Sequence, residues 1–268
     1  MTNFCQHVIV ITGASEGIGR ALALGLAPQQ PKLVLAARNE KRLQEVASEC
    51  ERAGAATCVV PTDVTDEQAC YRLVQRTMET FGGLGVLVNN AGMAMRATLE
   101  EVSNLSLFEH LMKVNYLSSV YCTKYALPYL KQSQGRVVAV ASVAGLTGVP
   151  TRTGYCASKY AMMGFFESLR MELDEAGVSI TIIAPDFVVS KVHERSFDAH
   201  GQQVGEPPAN QHTYLTAEAC AAMIIQAMEK RQRLLVTSWR GYLGRFVRLI
   251  IPNVIDGIAK KAVKEEVR

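Results

Sequence analysis

The sequence predicts a doubly wound α/β fold with a mainly parallel, seven-stranded sheet and helices on both faces. Three observations predict it. Short β-branched runs recur along the chain, helix-period segments separate them, and a glycine-rich turn joins the first run to the first such segment. Parallel strands covered on both faces read as continuous apolar runs, and these runs take that form.

The runs follow in order: "VIVI" from Val8, "LVLAA" from Leu33, "TCVV" from Thr57, "VLV" from Val86, "RVVAVA" from Arg136, "SITIIA" from Ser179 and "LLVT" from Leu234. Between the first two, Ile18, Ala21, Leu22, Gly25 and Leu26 keep the spacing of one apolar helix face. Gly54 is placed to stop the second helix. Thr65 with Gln68, and Ser106 with Glu109, have capping-box spacing and predict helix starts. A polar stretch from Lys191 to Tyr214 lacks periodicity and holds Gly201, Gly205, Pro207 and Pro208, which predicts a mobile substrate loop at about 186–215. No repeat interrupts the pattern, so residues 1–268 are expected to form one domain.

Bulk properties exclude several classes. A chain of 268 residues with 49% apolar residues can bury a large core. A formal charge of +3 without a basic run interleaved with aromatics argues against nucleic acid. Seven cysteines with no C-x-x-C pair read as reduced thiols, not as a disulfide scaffold or a zinc site. The strand opening after His7 predicts no signal peptide, and no apolar run of spanning length is present, so a cytoplasmic location is expected. His193, His200 and His212 are irregularly spaced and read as surface residues, and no metal site is expected.

The glycine-rich turn is "TGASEGIG", Thr12 to Gly19. Glycine at a strand-to-helix turn lets backbone approach a pyrophosphate, and the helix that follows aims its free N–H groups at that charge. Gly13, Ser15, Gly17, Ile18 and Gly19 are therefore candidate cofactor contacts in a Rossmann-type unit. Binders of NAD usually place a carboxylate on the ribose about twenty residues further on. Here the second strand ends Ala36-Ala37-Arg38-Asn39, with an arginine in that slot. A guanidinium suits a 2′-phosphate, so NADP is expected and NAD is disfavoured, although Glu16 in the turn is mildly unfavourable to a phosphate.

From Val8 to Ser190 the motifs, in order, resemble the short-chain dehydrogenases/reductases: TGxxxGIG at Thr12–Gly19, Asp63-Val64, "NNAG" at Asn89–Gly92, Asn115, Ser142, Tyr155-x-x-x-Lys159, and Pro185-x-x-Val188-x-Ser190. The resemblance implies that Asp63 and Val64 contact the adenine. It implies that Asn90, Ala91 and Gly92 line the cofactor cleft, with Pro185, Val188 and Ser190 on its far side. It also implies a catalytic tetrad of Asn115, Ser142, Tyr155 and Lys159. One departure stands out: the family usually has Pro-Gly where this chain has Pro185-Asp186.

The residues themselves support this chemistry. Reducing a carbonyl needs a hydride on carbon and a proton on oxygen. Tyr155 is a proton donor whose free pKa of about 10 is too high for exchange at neutral pH. Lys159, one helical turn on, is expected to lower it. Ser142 follows the fifth strand, where α/β clefts form, and can hold the carbonyl oxygen. Asn115 interrupts an apolar helix, and its amide is expected to find partners by positioning a water beside Lys159. Cys156 reads as a packed thiol.

The segment from Trp239 to Arg268 is apolar along Tyr242, Leu243, Phe246, Leu249, Ile250, Val254 and Ile258, is bordered by arginines and lysines, and should kink at Pro252. It resembles the tails of family branches acting on lipid-like substrates, including 11β-hydroxysteroid and 3-ketodihydrosphingosine enzymes. A flap over the cleft, a dimer contact and a peripheral membrane contact all remain open for it. The expected function is an NADP-dependent oxidoreductase interconverting a carbonyl and an alcohol on an apolar small molecule, as a homodimer or homotetramer. A redox sensor or scaffold that binds NADP without turnover is the alternative, and a sugar-nucleotide epimerase lacks the substrate lobe it would need.

Overall fold

A computed structural model describes residues 3–189, 196–205 and 214–267, with the side chains of 264–267 outside that description. Seven strands form one parallel sheet: β1 (Val8–Thr12), β2 (Lys32–Ala37), β3 (Ala56–Pro61), β4 (Val86–Asn89), β5 (Arg136–Val140), β6 (Ser179–Ala184) and β7 (Leu234–Val236), ordered β3-β2-β1-β4-β5-β6-β7. All seven predicted runs are strands. The helices are α1 (Gly17–Leu26), α2 (Glu40–Arg52), α3 (Glu67–Phe81), α4 (Ser106–Met112), α5 (Ser118–Gln132), α6 (Thr153–Glu172), α7 (Ala217–Glu229), α8 (Trp239–Ile250) and α9 (Pro252–Val267).

The apolar runs explain the layering. On β1, Ile9 and Ile11 face a cluster with Leu22 and Leu26 of α1, Leu43 of α2 and Ile224 of α7. Val8 and Val10 face the opposite cluster, with Leu73 of α3, Ala126 of α5 and Phe166 of α6. Period-two alternation thus sends neighbours to two cores, and both must be apolar. Each such side chain, fully buried, is worth about 1.5–3 kcal/mol.

The strand order reverses between β1 and β4. Loops leaving the carboxyl ends of these two strands diverge, and a ligand crevice opens there. Crossing that point, Val10 pairs with Leu87 and Ile11 with Val88, so Thr12 and Asn89 end level.

Local details move several expected caps. Asp66, not Thr65, caps α3 by accepting from Gln68 N at 2.9 Å. Thr65 instead donates to Asp63 Oδ1 at 2.8 Å. Ser106 is the first residue of α4, and Asn104 Oδ1 takes its N–H at 2.9 Å. Gly54, with φ at 104°, follows α2 as expected. Around Asn115 the helix widens into a π-turn, Lys113–Leu117. Such widenings cluster at functional sites. Within the expected substrate loop, the described part bridges back to the body: Arg96 N donates to Phe197 O at 2.8 Å and Phe187 stacks on Tyr214. Ser190, Lys191, His193, Pro207, Pro208 and His212 lie outside the described residues. All seven cysteines are free thiols. No described helix is long and apolar enough to cross a membrane.

Candidate active site

The glycine turn and the NNAG segment are tied to each other at the switch point. Thr12, buried at the end of β1, accepts at Oγ1 from Asn90 N (3.0 Å) and Ala91 N (3.1 Å), and donates to Val88 O (3.2 Å). Asn90 Nδ2 donates back to Thr12 O (2.9 Å) and Gly13 O (3.3 Å). The Asn90 side chain is therefore spent on holding the turn. Gly13 has φ at 67°, which suits glycine, and a Cβ on Gly19 would stand 2.3 Å from Gly13 O. Only glycine permits that approach of helix to turn.

This cradle fits a dinucleotide phosphate. The α1 N-terminus has no side-chain cap bond and no acid in its first turn, so its orphan N–H groups are available to an anion. Ser15, Gly17 and Ile18 are half-buried around it. At the β2 end, Arg38 is exposed. Arg42 pairs with Glu16 at 3.0 Å, which offsets the carboxylate in the turn. Arg42, in the first turn of α2 and four residues after Arg38, was not singled out by the motifs. Asp63 is exposed and Val64 buried. Desolvation would raise the Asp63 carboxyl, but bonds from Thr65 and the charge of Arg38 hold it below its ordinary range.

The tetrad residues lie on three elements, with Asn115 in the π-turn, Ser142 after β5 and both Tyr155 and Lys159 on α6, and come together beyond β4 and β5. Gly92 is the meeting point: a Cβ there would stand 3.2 Å from Asn115 Oδ1 and 3.5 Å from Lys159 Nζ. Asn115 is fully buried and satisfied by protein. It accepts from Met93 N (2.8 Å) and donates to Met93 O (2.9 Å) and Ser158 Oγ (2.8 Å). The expected water is thus not needed to satisfy this amide; Asn115 pins the NNAG exit to α6. Ser142 accepts from Ala144 N at 3.1 Å, capping a short 3-10 turn, and also hydrogen-bonds Tyr155.

Lys159 is only 4% exposed and donates to Val140 O at 2.9 Å. Burial pushes its amine down to about 8. Its nitrogen is 5.9 Å from the Tyr155 ring centre. Burial raises the Tyr155 phenol, while the Ser142 hydrogen bond and the Arg152 charge draw it down. Arg152 is thus a cation acting on the phenol that the sequence motifs did not name. Arg152 is buried, with its guanidinium 5.7 Å from the centre of the Phe187 ring. It is the residue just before α6, three positions ahead of Tyr155, a spacing that could have revealed it.

The family's Pro-Gly turn is replaced with a purpose. Pro185 is buried and accepts from Val143 N at 2.9 Å. Asp186 N donates to Thr237 Oγ1 (2.9 Å), and Ser238 Oγ donates to Asp186 Oδ2 (2.5 Å). The carboxylate thus fastens the start of α8 instead of facing a substrate. Val188 is buried and bridges to Leu215; Ser190 lies outside the described residues. Cys156 is buried, and burial raises its thiol, as suits a packed residue. No group of potential metal ligands occurs among the described residues.

Comparison with known proteins agrees with this geometry. A family model described as short chain dehydrogenase matches residues 7–201. The chain is 35% identical over 257 residues to 11-beta-hydroxysteroid dehydrogenase A of Sesamum indicum, covering 94% of this chain and 74% of that protein. It is 31% identical over 273 residues to a dehydrogenase/reductase SDR family protein 7-like of Dictyostelium discoideum, covering 100% of this chain and 85% of that one. Among solved structures, a short chain dehydrogenase/reductase from Burkholderia phymatum in complex with NAD superposes with TM-score 0.84 at 27% identity, covering 95% of this chain and 96% of that one. An alcohol dehydrogenase from Thermococcus sibiricus complexed with 5-hydroxy-NADP gives 0.73 at 27% identity, covering 86% and 94%. With its glycine turn locked to the NNAG segment and the family model spanning most of its length, the chain belongs to the short-chain dehydrogenase/reductase family of oxidoreductases.

Proposed function

We propose that the chain is an NADP-dependent oxidoreductase that interconverts a ketone or aldehyde with an alcohol on an apolar or lipid-like substrate. The observation that carries this reading is the grouping of Tyr155, hydrogen-bonded to Ser142, with Lys159, whose amine lies beside Gly92 and Asn115, next to a phosphate cradle at the switch point. When bound, the dinucleotide supplies or accepts the hydride. Tyr155, kept neutral by burial, holds the proton for the nascent alkoxide. Ser142 holds the carbonyl oxygen against it. As the proton leaves, Arg152 and the Ser142 hydroxyl stabilise the phenolate, and Lys159 keeps a proton store one helical turn away. Asn115 orients the backbone around this group and excludes water from behind it.

An apolar substrate is supported by the surroundings of the phenol ring. Tyr155 packs with Met93, Met95, Leu111 and Phe197, and substrate near the hydroxyl meets the same kind of surface. The names of the hydroxysteroid relatives point the same way. NADP over NAD is supported by Arg38 together with Arg42, which answers Glu16. The test is titration of both cofactors, followed by turnover on a panel of apolar ketones. NADPH should bind more tightly, and Arg38→Asp should reverse the order by removing the guanidinium and offering a carboxylate. Tighter NADH binding by the unaltered chain would contradict the cofactor assignment.

A further inference from the structure

The α8–α9 hairpin takes no part in the chemistry above, yet it carries most of the exposed large apolar side chains among the described residues. Of the fourteen exposed large apolar side chains among the described residues, nine fall between Trp239 and Ile258. A concentration of that kind marks an interaction surface, whereas scattered ones need no explanation. On α8, Trp239 (73% exposed), Tyr242, Phe246, Leu249 (81%) and Ile250 (80%) recur at three- and four-residue spacing and form one stripe. Val254 and Ile258 continue it on α9, and α8 buries no residue at all.

The hairpin is nonetheless held firmly. Ser238 caps α8 through Gly241 N at 3.0 Å while donating to Asp186. A Cβ on Gly241 would stand 2.9 Å from Val143 Cγ1, so α8 sits directly on the loop after Ser142. Arg248 donates to Leu146 O and to the Tyr160 hydroxyl, one residue past Lys159. A Cβ on Gly244 would stand 3.7 Å from Ile255 Cδ1, so α9 packs directly against α8 at this point. The apolar stripe is therefore the outer face of an element fixed beside the active site.

Its charge identifies the occupant. From Trp239 to Arg268 the sequence carries Arg240, Arg245, Arg248, Lys260, Lys261, Lys264 and Arg268 against Asp256, Glu265 and Glu266. A two-fold contact with a second copy would set these cations against themselves, with three acids a side to answer seven cations. A surface of anionic phosphates answers the exposed Arg240, Lys260 and Lys261, whereas Arg248 is bonded inward. The Arg245 guanidinium lies over the Tyr242 ring at 4.7 Å and the Phe246 ring at 4.4 Å, so a cation is held against the aromatic side chains of the stripe. Trp and Tyr favour the boundary between headgroups and acyl chains.

We propose that the outer face of the α8–α9 hairpin docks on an anionic phospholipid bilayer, lying in its interface without spanning it. Leu249 and Ile250, at the turn before Pro252, enter deepest. The inference does not depend on which cofactor or carbonyl the site takes, and its test reads binding instead of turnover.

Trp239 is the only tryptophan and stands on this face. The full chain is mixed with vesicles of phosphatidylcholine alone or with added phosphatidylglycerol, following tryptophan emission and co-sedimentation. Anionic vesicles should shift the emission to the blue and carry the protein down, and neutral ones should do so weakly. Raising salt from low concentration to about 0.5 M should weaken binding, because the charge term is screened within a Debye length. Changing Leu249 and Ile250 together to Asp should cut vesicle affinity about tenfold or more while leaving NADPH binding unchanged. An emission unmoved by anionic vesicles overturns the proposal. So does a concentration-dependent dimer that shields Trp239 without vesicle binding, since a second copy would then own the face.

Discussion

Burying the Lys159 amine costs the fold stability at neutral pH, and the cost has a definite sign. Its pKa falls from 10.5 to about 8 on folding. Between those values the unfolded chain binds a proton that the folded chain lacks, so this group's contribution rises as pH climbs from about 8 to 10.5. Below that window the whole penalty is present, about 3 kcal/mol. Lys159→Met removes it at similar volume and loses the Val140 hydrogen bond, worth about 1 kcal/mol. The variant should unfold in urea with about 2 kcal/mol more stability than the parent at pH 6–7, and the advantage should vanish by about pH 10.5. No gain at neutral pH would mean that the amine is better solvated than its burial indicates. Arg152 makes the complementary prediction. Its charge draws the Tyr155 phenol down, so Arg152→Leu should raise that pKa. Alcohol oxidation needs the phenolate, so its rate rises with pH through this pKa, and that ascending limb should move to higher pH, with Arg152→Lys restoring it. An unmoved profile in Arg152→Leu would leave the arginine a packing role only. Lys159 and Tyr155 were legible because their spacing is local. Arg152 was passed over because its burial depends on Phe187, 35 positions away in sequence.

At the scale of elements, the strands were legible because parallel strands buried twice must be apolar throughout, a signal that survives without context. The helix starts were less so. Asp66 takes the cap expected of Thr65, because the Thr65 hydroxyl is drawn to Asp63. The π-turn at Asn115 has no periodic signature, since it follows from the bonds Asn115 makes to Met93 and Ser158 across the molecule. Asp186 showed in the sequence as a departure without a reason; the reason is Ser238, which fastens α8 to the turn after β6. Ser238→Ala removes both that bond and the α8 cap, a loss of about 1–2 kcal/mol. Because α8 buries no residue, the effect should be local. Amide exchange across Trp239–Ile250 should speed up while β1 and β4 stay protected. Equal exchange in the two proteins would make the contact incidental.

Across the whole molecule, the sheet brings its chemistry to one edge. The order reversal between β1 and β4 opens the crevice, Thr12 and Asn90 lock its two loops, and Gly92 brings that floor within reach of Asn115 and Lys159. Beyond β6 the Asp186 tie carries the same edge out to the α8–α9 hairpin. The motif order made the first part legible in sequence. The second depends on contacts between Asp186 and Ser238 and between Arg248 and Tyr160, which no local pattern announces. The central claim is that Tyr155 delivers the proton at this edge. It is tested most directly by single-turnover oxidation of bound NADPH by an apolar ketone, comparing the parent chain with Tyr155→Phe. Loss of the hydroxyl alone should slow the reaction by about 10²–10⁴-fold with NADPH affinity unchanged. A variant that turns over at the parent's rate would contradict the account.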